Sequence, residues 1–326
     1  MIQKILVLGG TGFVGRHVCE KLICAGLQVT VPTRHLPHAK AVATLPGLTV
    51  LDANVHDPAA LKALVDGHDA VVNLVAILQG HEAAFDKAHV QLPDKIVRAC
   101  QAGGVRRLVH ISALGADARN PAALPSMYLR SKSLGEQLLR HTDLDLTVLR
   151  PSVIFGAEDK FLNVFAQLQQ FLPVIPLAGA HALFQPVWVE DVAKAVLQAL
   201  HGEFQHSSIG QTYEAVGPDV FTLKLLVRLA GGYAGVNGGK GRPVLALPDA
   251  VARVQARLME LMPGVPVLSR DNMDSMTVPN VATGHFPGLS ALGITPAALS
   301  AIGPGYLGER GLRSHLMLKR KTAKRF

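Results

Sequence analysis

Charged residues make up only 17% of this chain and aromatic residues 5%, with a single tryptophan. So little charge beside 49% apolar residues excludes a disordered chain and predicts a packed core. Also missing is any run of about twenty apolar residues without polar interruption, so no membrane span is expected. The most apolar stretch, Phe161 to Phe184, is broken by Asn163, three glutamines and two prolines. Cysteine is scarce: Cys19, Cys24 and Cys100 lack metal-ligand spacing, and the fourteen histidines form no zinc signature. No metal is expected, and the thiols read as small core residues in a reducing compartment. The first apolar strand begins almost at Met1, which predicts no leader peptide and a cytoplasmic protein.

The net charge of +8 is unevenly placed, since Lys319, Arg320, Lys321, Lys324 and Arg325 crowd the last eight residues. Such a tail is either a solvated terminus or a contact for an anionic membrane surface or an acidic partner, a respiratory complex among them. Sparse aromatics and the lack of a recognition motif argue against nucleic acid.

What is present is organised around the first thirty-four residues. An apolar run, Ile5 to Leu8, leads into Gly9-Gly10-Thr11-Gly12-Phe13-Val14-Gly15, then a helical pattern, a break at Gly26 and a second apolar run from Val29 to Val31. Strand, glycine turn, helix, strand is the opening βαβ unit of a dinucleotide-binding fold. Gly9 would turn the strand, Gly12 would admit a pyrophosphate, and Gly15 would let the helix pack close. The helix N-terminus and its dipole favour phosphate there. Gly9, Thr11, Gly12, Phe13, Val14 and Gly15 are thus the candidate cradle. At the end of the second strand stands Arg34, with His35 and Lys40 near it and no acid. An acid would hold the ribose 2′-OH of NAD, whereas Arg suits the extra phosphate of NADP, so NADP(H) is favoured over NAD(H).

Further along, the strand Leu48 to Leu51 ends at Asp52-Ala53. Asp52 either accepts from the adenine amino group or caps the helix near Pro58. After the strand Ala70 to Leu74, Val75 and the small Ala76 would let a cofactor pass the backbone. The strand Leu108 to Ile111 delivers Ser112, and sixteen residues later comes Tyr128-Leu129-Arg130-Ser131-Lys132. Tyr128 and Lys132 share a helix face. The ammonium is expected to lower the phenol pKa and make Tyr128 a proton donor and acceptor, with Ser112 hydrogen-bonding a substrate carbonyl.

Gly9-x-x-Gly12-x-x-Gly15, Asp52, Ser112 and Tyr128-x-x-x-Lys132 together resemble the extended or atypical short-chain dehydrogenase/reductase superfamily. Leu149 to Gly156 looks like its strand and turn after the catalytic helix, and Val187 to Ala193 like its returning strand and helix. The resemblance implies that Tyr128 is the acid/base, that Lys132 binds the nicotinamide ribose and tunes Tyr128, and that Ser112 orients the substrate. It also implies that Pro151 and Val153 line the cofactor. Phe85 to Gln91, Val105 to Ala116 and Tyr128 to Glu136 are similar to bacterial relatives of the nucleotide-binding accessory subunit of respiratory complex I. That likeness implies bound NADPH outside the electron path, and other relatives are linked to ubiquinone biosynthesis. His89-Val90-Gln91-Leu92-Pro93 stands where sugar epimerases carry Asn-Val-x-Gly-Thr, Phe155 replaces their usual Tyr, and the Ser-to-Tyr interval is short. These departures argue against sugar-nucleotide chemistry.

The expected architecture is an α/β, doubly wound, mainly parallel sheet of Rossmann type with a smaller C-terminal α+β domain over the crevice. Residues 1–156 would form the dinucleotide-binding domain, with 184–200 returning to it. Residues 157–183 and 201–318 would form the substrate or docking domain, and 319–326 the tail. In Pro248 to Met262, a stripe of Val251, Val254, Leu258, Leu261 and Met262 is expected to pack into the core, the alternative being a lid or a surface that docks on a partner or membrane. Three functions remain open: a tightly bound NADP(H) protein of the accessory-subunit type near quinone metabolism and peripheral to the inner membrane; an active reductase, dehydrogenase or epimerase acting on a carbonyl or quinone substrate; and an NADPH sensor.

Overall fold

A computed structural model of the chain describes residues 2–260 and 269–308, without the side chains at 254, 255, 258 and 259. The basic tail lies outside the described residues. The chain opens with β1 (Lys4–Leu8), α1 (Phe13–Cys24), β2 (Gln28–Thr33), β3 (Leu48–Asp52), α2 (Pro58–Val65) and β4 (Ala70–Asn73). There follow α3 (Glu82–Asp86), a π-helical turn (Lys87–Gln91), α4 (Leu92–Gly103), β5 (Arg107–Ile111), α5 (Met127–Arg140) and β6 (Asp145–Pro151). Next come β7 (Ile154–Phe155), α6 (Leu162–Phe171), β8 (Ile175–Leu177), β9 (Leu183–Phe184), β10 (Val187–Trp188), α7 (Val189–Leu200) and β11 (Thr212–Ala215). The described chain ends with β12 (Phe221–Thr222), α8 (Leu223–Tyr233), β13 (Val244–Ala246), α9 (Asp249–Glu260), α10 (Arg270–Ser275) and α11 (Leu299–Leu307).

By contacts the chain divides into two units. Of the described residues, the first comprises 2–151, 189–215 and 282–295; the second comprises 152–188, 216–260, 269–281 and 296–308. In the first, seven parallel strands lie in the order β11-β6-β5-β4-β1-β2-β3 with helices on both faces. This is the doubly wound sheet expected. A parallel sheet covered on both faces needs strands apolar on both sides, and Ile5, Leu6, Val7 and Leu8 of β1 are all fully buried. Leu6 and Leu8 meet Leu61 and Val65 of α2 and Leu92 and Ile96 of α4. On the opposite side α1 buries Gly15, Val18, Cys19 and Leu22 at helical spacing and is tied to α7, where Glu190 takes Lys21 Nζ at 2.6 Å and also pairs with His17. The strand order reverses between β1 and β4, so the carboxyl ends of those strands open the crevice where ligands of such sheets bind. Cys19 and Cys100 are core residues as expected; Cys24, at the last turn of α1, is exposed instead.

The second unit is built from three two-stranded pairs, β7 with β10, β8 with β13 and β9 with β12. Around them α6, α8 and α11 enclose Phe155, Leu162, Leu226, Ala230 and Leu299. Gln169 of α6 is fully buried, its Nε2 donating to Val227 O (2.5 Å) and its Oε1 accepting from Arg242 N–H (2.8 Å). The expected stripe on α9 is corrected at its first residue. Val251 is 52% exposed, and the helix buries Ala252 and Ala256 against Ala178 and Met273, where short side chains allow close approach. The side chains of Val254 and Leu258, and Leu261 and Met262, lie outside the described residues.

Candidate functional site

The glycine turn sits at the carboxyl end of β1. Gly9 has φ of +85°, a left-handed conformation costly for other residues, and Gly12 N–H donates back to Gly9 O at 3.0 Å to close the turn. A Cβ on Gly15 would lie 2.2 Å from Gly9 O and 2.6 Å from Gly10 Cα, so the helix rests directly on the turn. Gly10 is equally demanding: its Cβ would come within 2.7 Å of Val31 on β2, a constraint the motif does not announce. The N-terminus of α1, opened by Phe13 and Val14 after Thr11 and Gly12, has no side-chain cap and no acid in its first turn. Its N–H groups and dipole suit an anion.

Arg34 follows β2 and is exposed. Asp52 is the last residue of β3, opposite Thr33, and is exposed too. The capping alternative for Asp52 is excluded, because Asp57 caps α2 by accepting from Ala59 N–H at 3.1 Å. Ala53 N–H donates to Thr33 O, which pins this strand end. His56, two turns of chain further on, has its pKa lowered by burial and then by the charges of Lys87, Arg34 and Lys95. Its Nδ1 is buried without a hydrogen-bond partner among the described residues. A positive field therefore covers this end of the crevice.

At the other end, Ser112 follows β5, its N–H donating to Leu149 O at 2.8 Å. Its hydroxyl is buried and has no partner among the described residues, as befits a group reserved for a ligand. Tyr128 and Lys132 lie one turn apart on α5, which Ser126 caps by accepting from Leu129 N–H. The Lys132 ammonium is buried and donates to Ile111 O at 2.6 Å. Burial lowers its pKa to about 8, and burial raises that of the Tyr128 phenol to about 12. The expected lowering of the phenol by its neighbour is thus corrected: desolvation outweighs it, because a phenolate would sit in the same low-dielectric pocket. Pro151 ends β6, and its carbonyl accepts from Leu114 N–H. Val153 belongs to the second unit, where Asn280 Oδ1 takes its N–H at 3.1 Å.

The structure adds a residue that sequence reading noted only as a departure. His89 lies on the π-helical turn, which re-aims its side chain inward, and is 2% exposed. Its Nε2 accepts from Ile77 N–H (3.1 Å), so Nδ1 carries the proton and donates to Ser131 Oγ (2.8 Å), whose hydroxyl donates to Tyr128 O (2.8 Å). The ring also stands edge-on to Tyr128 at 5.7 Å. One hydrogen-bond chain thus joins the backbone after β4 to the helical turn bearing Tyr128. Beside it Asn73 takes Val75 N–H on Oδ1 (3.2 Å) and bonds His110 Nδ1 (3.1 Å). Val75 and Ala76 are therefore held in a loop fixed at both ends by buried imidazoles.

Burial, with Lys132 adding, lowers the His89 pKa to about 3, and His110 moves the same way. The unfolded chain would take up protons on these rings below roughly pH 6.5 while the native state does not. Stability should be full above that pH and fall on acidification, each ring contributing a slope of up to roughly 1.4 kcal/mol per pH unit. His89→Asn keeps an acceptor and a donor but cannot titrate, so urea unfolding between pH 6.5 and 5 should show a shallower slope; an unaltered slope would mean that the ring titrates as in water. His89→Leu leaves the Ile77 N–H unpaired and should cost about 2–4 kcal/mol.

Comparison with known proteins gives the family. Residues 9–202, more than half the chain, match a family model described as NAD(P)H-binding. The chain belongs to the NAD(P)H-binding family. Within it, the chain is 32% identical to the mouse mitochondrial NADH dehydrogenase [ubiquinone] 1 alpha subcomplex subunit 9, over 90% of this chain and 76% of that protein. It is 27% identical to ceramide reductase of Caulobacter vibrioides, over 75% and 74%. Among solved structures, the NADPH-dependent quinone oxidoreductase QOR2 of Escherichia coli in complex with NADPH superposes with a TM-score of 0.72 at 20% identity, over 92% and 98% of the two chains. The last likeness shows the fold alone, a Rossmann-type α/β sheet. The glycine turn, the uncapped α1 terminus and the unpartnered Ser112 hydroxyl are the features of this chain that fit a nicotinamide dinucleotide.

Proposed function

We propose that this protein holds NADP(H) and serves respiratory-chain or quinone metabolism, in the manner of a complex I accessory subunit. The observation that carries this reading is the intact cradle, Gly9 to Gly15 under an uncapped helix, in a chain similar to subunit 9 along 90% of its length. Arg34, with the positive field around His56, supports the 2′-phosphate and hence NADP over NAD. Asp52 and Ala53 would receive the adenine, Val75 and Ala76 the middle of the cofactor, and Lys132 and Pro151 the nicotinamide half.

The buried Ser112 hydroxyl favours a second reading, an active reductase. When bound, the cofactor would supply the hydride from its C4. Ser112 would donate to the carbonyl oxygen, Tyr128 would hand its proton to the same oxygen, and Lys132 would hold the ribose. A phenol kept protonated by burial is in the form that donates in this direction.

Both readings are tested by purifying the protein without added nucleotide, denaturing it and identifying what is released, while native protein with NADPH is offered quinones and carbonyl compounds. Stoichiometric NADP(H) that does not turn over supports the accessory role; reversible binding with oxidation of NADPH supports the enzyme. No affinity for either nucleotide overturns both. Arg34→Ala should weaken NADPH binding about tenfold to a hundredfold and leave NADH binding nearly unchanged in calorimetric titration. Equal losses would overturn the preference for NADP.

A further inference from the structure

Phe171 closes α6 with its side chain 82% exposed, and Leu172, Val174 and Leu245 stand 39%, 43% and 59% exposed. They belong to one patch. Ile175 N–H donates to Pro243 O at 3.0 Å and Leu245 pairs with Pro176, which lays the turn after α6 against β13. Along β8 the side chains of Ile175 and Leu177 go inward, so Pro176 faces out beside Leu245. The core of the second unit gains nothing from a phenylalanine placed in water.

The charged side chain that a hydrogen bond ties to the end of α6 is a cation. From Phe161 to Trp188 the chain has no Asp, Glu, Lys or Arg. Arg242 Nε donates to Gln169 O (3.3 Å), two residues before Phe171, and Arg228 Nε donates to Lys240 O (3.3 Å), so Arg242 stands at the turn with two further cations, Lys240 and Arg228, close to it in the chain and joined to each other. None of the three forms an ion pair with a carboxylate among the described residues. No helix of the described residues is long and apolar enough to cross a membrane.

We propose that this turn docks the protein onto an anionic bilayer surface. Phe171, Leu172 and Val174 enter the boundary between headgroups and acyl chains, and Arg242, Lys240 and Arg228 meet the lipid phosphates. Four partly exposed side chains present a few hundred Å² at most, short of the roughly 800 Å² per partner of a standard protein interface, so a second copy of the chain fits the patch less well. The inference stands apart from the nucleotide and holds whether or not the cofactor turns over.

The full chain should co-sediment with mixed phosphatidylcholine/phosphatidylglycerol vesicles at least about tenfold more strongly than with phosphatidylcholine alone, and added salt should erase most of that preference. Phe171→Ser, at an exposed position and so harmless to folding, should weaken binding about tenfold, and Lys240→Gln with Arg242→Gln by a similar factor. Removing residues 319–326 should leave the Phe171-dependent part in place. Binding that survives Phe171→Ser, vanishes with the tail, or ignores lipid charge would overturn the proposal. So would concentration-dependent self-association in lipid-free sedimentation that Phe171→Ser abolishes, since the patch would then belong to a second copy.

Discussion

Replacing Gly15 by alanine is expected to weaken binding of both NADPH and NADH by about a hundredfold or more. The added methyl would stand 2.2 Å from Gly9 O and 2.6 Å from Gly10 Cα, and both obstacles are backbone that no rotamer change can move. Either α1 shifts off the turn or the turn opens, and a displacement of about 1 Å at a binding centre typically costs two orders of magnitude. Overpacking should also lower stability by about 1–3 kcal/mol. Gly26→Ala provides the contrast. Gly26 follows the same helix at φ +82° with nothing within 4 Å of an added Cβ, so the substitution costs about 1–2 kcal/mol of backbone strain without touching the cradle. Calorimetric titration of the two variants separates the effects. A similar loss of affinity from Gly26→Ala would mean that binding follows helix stability and not the shape of the turn.

The second large effect concerns Tyr128. Tyr128→Phe should cut reduction of any accepted carbonyl or quinone by about a hundredfold to ten-thousandfold, the usual worth of a positioned proton donor, while nucleotide affinity and melting temperature stay near those of the parent. Phenylalanine keeps the ring packed against Phe85 (6.2 Å) and His89 (5.7 Å) and removes only the hydroxyl. Stopped-flow absorbance of NADPH under single-turnover conditions isolates the chemical step. Unchanged turnover would refute the acid/base role, and a parent protein without turnover would leave the two readings without chemistry, accessory protein and NADPH sensor.

Much of the first unit was legible in the residues. An unbroken apolar run before glycines reads as a strand buried on both faces, as β1 is, and Arg107 to Ile111 is buried likewise, whereas Leu48 to Asp52 is the partly exposed edge strand of the sheet. The second unit was less legible. Its strands are two or three residues long, too short for alternation to show, and α9 buries alanines that no hydropathy stripe marks. At the site, Ser112, Tyr128 and Lys132 could be named from spacing, but their proton affinities could not. A side chain's pKa depends on how much water its neighbours exclude, and those neighbours come from β4, β5 and the π-helical turn.

By itself the sequence determined the glycine turn and the order of strands and helices that builds a parallel sheet. These follow from local constraints: a left-handed turn, a helix pressed on it, strands apolar on both faces. Only the tertiary structure decided that Asp57 and not Asp52 caps α2, that His89 joins the Ile77 amide to the turn bearing Tyr128, and that Phe171 stands in water beside the Gln169 carbonyl that takes Arg242. Each of these depends on segments distant in the chain or on how a neighbouring element shields a side chain, and neither distance nor shielding is written in the order of residues.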